Sequence, residues 1–289
     1  MKHEDVTIVM QGPLLSTSGA AEGLRYFDNY LSLVDKIIIS TWNDHRNTNS
    51  FIGLSNVMNI ISGKDPANKL IADIRRIIGD RNIDLVTDDI TNYNDYYNNA
   101  NVAYQSATSL NGLKKVDTEY VIKLRCDEYY TDLSEFIDLM KSAPEKLTTN
   151  NFLFAPDYHE QFHLSDHVIG GYTHNILGMF QTALDFCKKL PAGTDPVHCS
   201  QLGVEGYRNL YNNGLLSPES FLCICFLISK GISIDCSQSK KIMKDHLQVI
   251  KTQDMGEFLC KMGGLSFRSH EDIMSNHSSN FSIESMEQL

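Results

Sequence analysis

Short apolar runs alternate with helically spaced stretches along the first half of the chain. Val6 to Met10 is an apolar run stopped by Gln11-Gly12-Pro13, the pattern of a buried strand and a tight turn. Between Glu22 and Leu33, Leu24, Phe27 and Leu31 recur on one helix face. Lys36 to Ser40 reads as a second strand, followed by Thr41-Trp42-Asn43-Asp44. His45 to Ala67 is rich in Asn, Ser and Gly and reads as an irregular excursion; Asn68 to Ile78 reads as a helix. Ile83 to Thr87 predicts a third strand running into Asp88-Asp89. Asn92 to Asn99 is a polar, Tyr-rich loop, Asn101 to Lys115 a helix, and Tyr120 to Leu124 the fourth strand. This β-α-β-α order predicts an α/β protein with a mainly parallel central sheet and helices on both faces.

The second half changes character. Phe152 to Phe154 reads as a strand, Gly178 to Lys189 as a strand and helix, and Ile232 to Ile234 as a short strand. Pro218 and Glu219 open an apolar helix that runs through Ser229; proline in the first turn and an acid beside it both mark a helix N-terminus. The tail after Ser269 is polar and predicts loose order. No repeat or linker breaks the chain, so one domain is expected, with halves at residues 1–150 and 151–289.

Composition narrows the function classes. The chain has 289 residues, 42% hydrophobic and 21% charged, the balance of a globular protein with a sizeable core. Its net charge of −11 argues against nucleic acid or an anionic membrane as a partner. The apolar run Phe221 to Ile228 is too short to span a bilayer, so no transmembrane segment is expected. Seven cysteines without a C-x-x-C pair read as reduced, mostly buried thiols, which with the polar N-terminus gives a cytoplasmic expectation.

Four strand ends carry polar groups: Gln11-Gly12-Pro13, Ser40-Thr41-Trp42, Asp88-Asp89 and Arg125-Cys126-Asp127-Glu128. In a parallel sheet these ends line one edge, where α/β proteins bind ligands. Gly12 allows close backbone approach to a ligand. Trp42 reads either as a stacking platform for a base or as a core residue. Asp88 reads either as an acceptor for ribose hydroxyls or as a turn and cap residue. Asn101 and Gln105, four apart, share a helix face and read as a polar reader of a base or sugar, or as a solvated face. Asp127 and Glu128 have the chemistry of hard-metal ligands, and Arg125 that of a phosphate ligand. Lys123 reads as lying on the other face of its strand, away from this cluster. His163 and His167 have metal-ligand spacing if that segment is helical.

In sequence order, Val6 to Pro13, Ile38 to Trp42, Asn101 and Gln105 with Asn111-Gly112-Leu113, Tyr120 to Asp127, and Phe162 to His167 together resemble the WavE family of lipopolysaccharide synthesis, which is similar to the GT-A nucleotide-sugar glycosyltransferases. The resemblance spans roughly residues 6–230. It implies a GT-A-like, Rossmann-like sheet, a nucleotide-sugar donor in the first half, and a glycan or glycolipid acceptor in the second. It implies donor binding by Gln11, Gly12, Pro13, Ser40, Thr41, Trp42, Asp88, Asn101, Gln105, Arg125 and Asp127. It also implies a Mn²⁺ or Mg²⁺ cofactor held by Asp127 and Glu128. GT-A enzymes usually carry Asp-x-Asp after a strand, and here Arg125 stands where the first acid would be.

Inverting transfer to a hydroxyl needs a general base opposite the leaving group. Asp166 is the first candidate and Glu219 the second; each also reads as structural, Asp166 through hydrogen bonding and Glu219 as a helix N-terminal acid. Two rival functions are a sugar nucleotidyltransferase and a non-catalytic nucleotide-sugar-binding module. The nucleotidyltransferase normally wants a basic, Gly-rich loop after the first strand, and Gln11 to Ser16 has no Lys or Arg.

Overall fold

The computed structural model describes residues 2–12, 27–43, 72, 74–96, 101–126, 128–152, 162–189, 217–260 and 268–269. A seven-stranded sheet runs through the molecule in the order β3-β2-β1-β4-β7-β6-β8. Its parallel half is β3 (Ile83–Asp88), β2 (Val34–Trp42), β1 (His3–Gln11) and β4 (Tyr120–Arg125). β7 (Val168–Tyr172) then runs antiparallel to both β4 and β6 (Leu147–Asn150), and β8 (Leu247–Ile250) pairs parallel with β6. A small antiparallel sheet joins β5 (Glu128–Tyr130), β9 (Phe258–Cys260) and β10 (Arg268–Ser269). The two chain halves share one sheet, because β6 lies between β7 and β8.

β1 is buried from Val6 to Gln11, as expected of a central parallel strand covered on both sides. Val6, Ile8 and Met10 face one core with helical residues 27–33 and 74–78 and with α2 (Ser134–Ser142). Val9, Ile38 and Val121 face the other, with α1 (Val102–Leu113), α3 (Thr173–Lys189) and α4 (Pro218–Ser229). Helices therefore cover both faces. A shorter helix, α5 (Ser239–His246), leads into β8.

α4 forms where the sequence placed it. Ser217 caps it by accepting from the Ser220 amide, Pro218 fills the first turn, and Phe221 to Leu227 are all buried. Of the strand expected at Phe152 to Phe154, residues 153–154 lie outside the described residues; Phe152 is in a turn just after β6. The threonines of β6 are buried but satisfied: Thr149 Oγ1 donates to the Ser165 and Val168 carbonyls at 2.5 and 3.0 Å. Ile232 to Ile234 makes no strand, and Thr173 to Lys189 is one continuous helix rather than a strand and helix. The excursion at 45–67 and the tail beyond 269 lie outside the described residues.

Gly112 sets how closely α1 sits on the strands. A Cβ there would meet Val9 Cγ1 at 2.6 Å and Ser40 Cβ at 3.0 Å. Gly112→Ala is therefore expected to lower stability by about 1–3 kcal/mol, read from the urea midpoint at unchanged slope. A loss below about 0.5 kcal/mol would mean that α1 moves off the sheet without strain.

Candidate active site

The sheet order reverses between β1 and β4: the chain builds outward through β2 and β3, then returns to the other side of β1. Such a switch point opens a crevice at the carboxyl ends of the strands. Gln11 there is in register with Ser40 on one side and Arg125 on the other. β7 enters from the same edge, its Val168 paired with Leu124, so the segment 163–167 falls beside Arg125.

Several polar strand ends serve α1. Gln11 Oε1 accepts from Thr108 Oγ1 at 2.9 Å, and Ser40 Oγ donates to the Thr108 carbonyl at 2.6 Å. Asp88 accepts from the Tyr93 hydroxyl and from Asn111 Nδ2, both at 2.6 Å. Burial and this bond to Asp88 push the Tyr93 phenol up to about 12. Ser40 and Asp88, expected to bind the donor, here hold α1 and the turn before it.

Trp42, expected either as a platform for a base or as a core residue, is 2% exposed and meets Tyr93 and Tyr104 edge-on at 5.8 and 5.9 Å, which is core packing. Thr41 is buried, with no hydrogen-bond partner for its hydroxyl among the described residues. Gly12 has φ +113°, a conformation that favours glycine, and its amide donates to the Ser40 carbonyl at 3.1 Å. Pro13 lies outside the described residues. Asn101 stands just before α1 in a left-handed conformation, φ 66°, and so does not continue the helical face that carries Gln105.

The chemistry converges on a second set of residues. Lys123, fully buried, donates from Nζ to the Asp166 carbonyl at 2.5 Å. Asp166 is 3% exposed; one carboxylate oxygen accepts from Gln105 Nε2, and Oδ1 has no hydrogen-bond partner among the described residues. Burial alone would raise the Asp166 pKa. The charges of Lys123, His167 and Arg125 and the Gln105 bond outweigh it and hold this carboxyl below its ordinary value.

Glu128 is fully buried, and its Oε1 accepts from Arg125 Nε at 2.9 Å and His167 Nδ1 at 2.5 Å. Burial works against the imidazolium, but the Glu128 charge and hydrogen bond raise the His167 pKa. Glu128, expected as a metal ligand, has one of its oxygens committed to two cationic groups. Segment 163–167 is not helical, so His163 and His167 lack the helical metal-binding spacing. Among the described residues no three His, Cys, Asp or Glu side chains assemble a metal site, and Asp127 lies outside them.

Glu219 sits half-buried at the start of α4. The helix N-terminus favours its carboxylate by a few tenths to about 1 kcal/mol. Burial first, and then the charge of nearby Asp166, overcome this and raise its pKa, with His163 pulling the other way. Two neighbouring carboxyls are thus pushed in opposite directions, the pattern that separates acid and base roles.

Sequence reasoning missed Lys123. A strand places alternate residues on one face, and that period puts Lys123 with Val121 and Arg125.

The fold is that of an α/β protein with a mixed sheet and a polar centre at its switch point. The chain belongs to the WavE lipopolysaccharide synthesis family, which matches residues 85–249. No curated protein matches it. Similar solved structures include the galactosyltransferase LgtC in complex with donor and acceptor sugar analogues, at 11% identity over 78% of this chain and 72% of that one, TM-score 0.36. The glycosyltransferase GlyE of Streptococcus pneumoniae matches at 11% identity over 87% and 46%, TM-score 0.41. Mouse xyloside xylosyltransferase 1 matches at 9% identity over 81% and 86%, TM-score 0.40. No helix among the described residues is long and apolar enough to cross a membrane.

Proposed function

We propose that this chain moves a sugar from a nucleotide-diphosphate donor to a hydroxyl of a glycan or glycolipid, with Glu219 as the general base. The observation that carries the reading is the buried Asp166 carboxylate beside half-buried Glu219, its Oδ1 without a hydrogen bond among the described residues and 4.0 Å from His167 Nε2. A buried acceptor oxygen calls for a donor from a ligand, and a sugar hydroxyl supplies one. Asp166 then orients the acceptor. Glu219 takes the hydroxyl proton as the oxygen bonds to the anomeric carbon, and the bond to the nucleoside diphosphate breaks. Membership in a lipopolysaccharide synthesis family supports sugar chemistry as the class.

Charge growing on the leaving diphosphate needs a cation. Arg125 ends β4 at the switch point with its side chain about a third exposed, 34%, and we assign it to the diphosphate. The described residues do not form a ligand set for Mn²⁺ or Mg²⁺, so no step here runs through a metal. Asp127 remains the residue to test for metal dependence.

The experiment is a thermal-shift panel of UDP-, GDP-, CMP- and dTDP-sugars, with Mn²⁺ and with EDTA. One donor is expected to raise Tm, and Arg125→Ala to weaken its binding at least tenfold even in EDTA, the loss of one charge-assisted contact worth about 1.5–3 kcal/mol. No stabilisation by any donor would sink the reading; an Arg125 effect seen only with metal would remove the direct contact.

A further inference from the structure

We infer that Glu128 is a positioning residue that ties the donor side of the site to the acceptor side, an inference that rests on the glycosyl-transfer reading above. Its Oε1 joins two groups from different elements: Arg125 at the end of β4, at 2.9 Å, and His167 at the entry to β7, at 2.5 Å. His167 directly follows Asp166 in the chain, so whatever moves its ring moves the acceptor-side carboxylate. Glu128 itself is held from behind: β5 pairs with β9, Glu128 opposite Cys260. Phe152 packs edge-on against the His167 ring at 4.6 Å and against Phe258 at 4.7 Å, which keeps water from the pair.

The chemistry explains why a glutamate is needed. One carboxylate oxygen accepts two charge-assisted hydrogen bonds, each stronger than a neutral one. The Nε bond fixes the plane of the guanidinium, and that plane decides how the fork meets a phosphate. A diphosphate that pulls Arg125 toward itself also pulls on Glu128, and through it on His167 and Asp166. The acceptor carboxylate is thereby set by donor binding, and displacing it by about 1 Å costs on the order of 10²-fold in rate.

The test places the change on the acceptor side and reads the donor side. His167→Gln and Glu128→Gln are titrated by calorimetry with UDP, GDP and dTDP, using whichever the unaltered protein binds. Both variants are expected to bind it about tenfold more weakly, within the usual range of coupling between two sites. Both should also lower kcat by about 10²-fold with acceptor KM little changed. Proton NMR gives a readout that needs no nucleotide: the His167 Nδ1–H resonance is expected far downfield in the unaltered protein and absent from both variants. Unaltered protein that binds no nucleotide overturns the glycosyl-transfer reading and this one with it. Nucleotide binding that His167→Gln leaves unchanged, or a downfield resonance that survives in Glu128→Gln, overturns only the bridge.

Discussion

Lys123→Met is expected to lower stability by about 3–5 kcal/mol, the usual cost of leaving a buried charge uncompensated. Lys123 has no exposed surface, and its ammonium donates to the Asp166 carbonyl. Its charge is the largest single force holding the buried Asp166 carboxyl down. Methionine fills much of the same volume and supplies neither charge nor donor. The carbonyl then loses its lysine donor, and the carboxylate keeps the Gln105 hydrogen bond and the weaker charge support of His167 and Arg125. The effect has a pH signature. A carboxyl whose folded pKa lies below its unfolded one stabilises the fold above the unfolded value and loses that contribution as pH falls through the folded value. In Lys123→Met the folded pKa rises, so the gap closes and the Asp166 contribution shrinks at neutral pH. Urea unfolding at pH 7 and near pH 3, below the ordinary carboxyl value, measures both consequences. Adding Asp166→Asn to Lys123→Met is expected to recover part of the loss, since the stranded charge goes with it. A loss below about 1 kcal/mol, or a double variant as unstable as the sum of the singles, would show that the two charges do not compensate each other.

The sheet was legible because its strands advertise themselves. Val6 to Met10, Lys36 to Ser40, Ile83 to Thr87 and Tyr120 to Leu124 are short apolar runs ended by polar turns, and all four are strands of the parallel half. α1 and α4 carried helical spacing or a capped start. The antiparallel part was harder. β6 reads Leu-Thr-Thr-Asn, and its polar residues are satisfied in burial by bonds to backbone and side chains of other segments. β7 contains two glycines, and Gly170 has no room for a Cβ, which would meet Phe136 Cε1 at 2.6 Å.

The site was legible as an edge but not as a set of roles. Sequence placed Gln11, Ser40, Asp88 and Arg125 along one rim, where they are. It could not show that Thr108 and Asn111 of α1 consume the polar groups of Gln11, Ser40 and Asp88, because those contacts span up to 97 residues of chain. Nor could it weigh Asp166 against Glu219, since that depends on which charges fold around each.

Glu219→Gln is expected to reduce kcat by about 10²–10⁴-fold, the usual worth of a positioned base, with donor binding intact. Asp166→Asn is expected to act differently, and pH separates the two. Glu219 works as a base only when ionised, so activity falls on the acid side as pH drops through its pKa. Burial and the Asp166 charge raise that pKa above the ordinary carboxyl value. Asparagine at 166 removes the repelling charge and leaves burial in place. The Glu219 pKa then falls toward its ordinary value, and the acid limb of kcat/KM moves to lower pH. Asparagine also keeps the amide-sized contact near Gln105 but no longer offers the acceptor hydroxyl a carboxylate, so acceptor KM rises while the limb moves. Profiles of kcat/KM from pH 4 to 9 for the unaltered protein and both variants decide the matter. An acid limb that stays in place in Asp166→Asn would show that the two carboxyls do not sense each other. Turnover unchanged in Glu219→Gln but lost in Asp166→Asn would give the base role to Asp166. Donor binding with no turnover in any of the three would mark a module that binds nucleotide-sugars without transferring them.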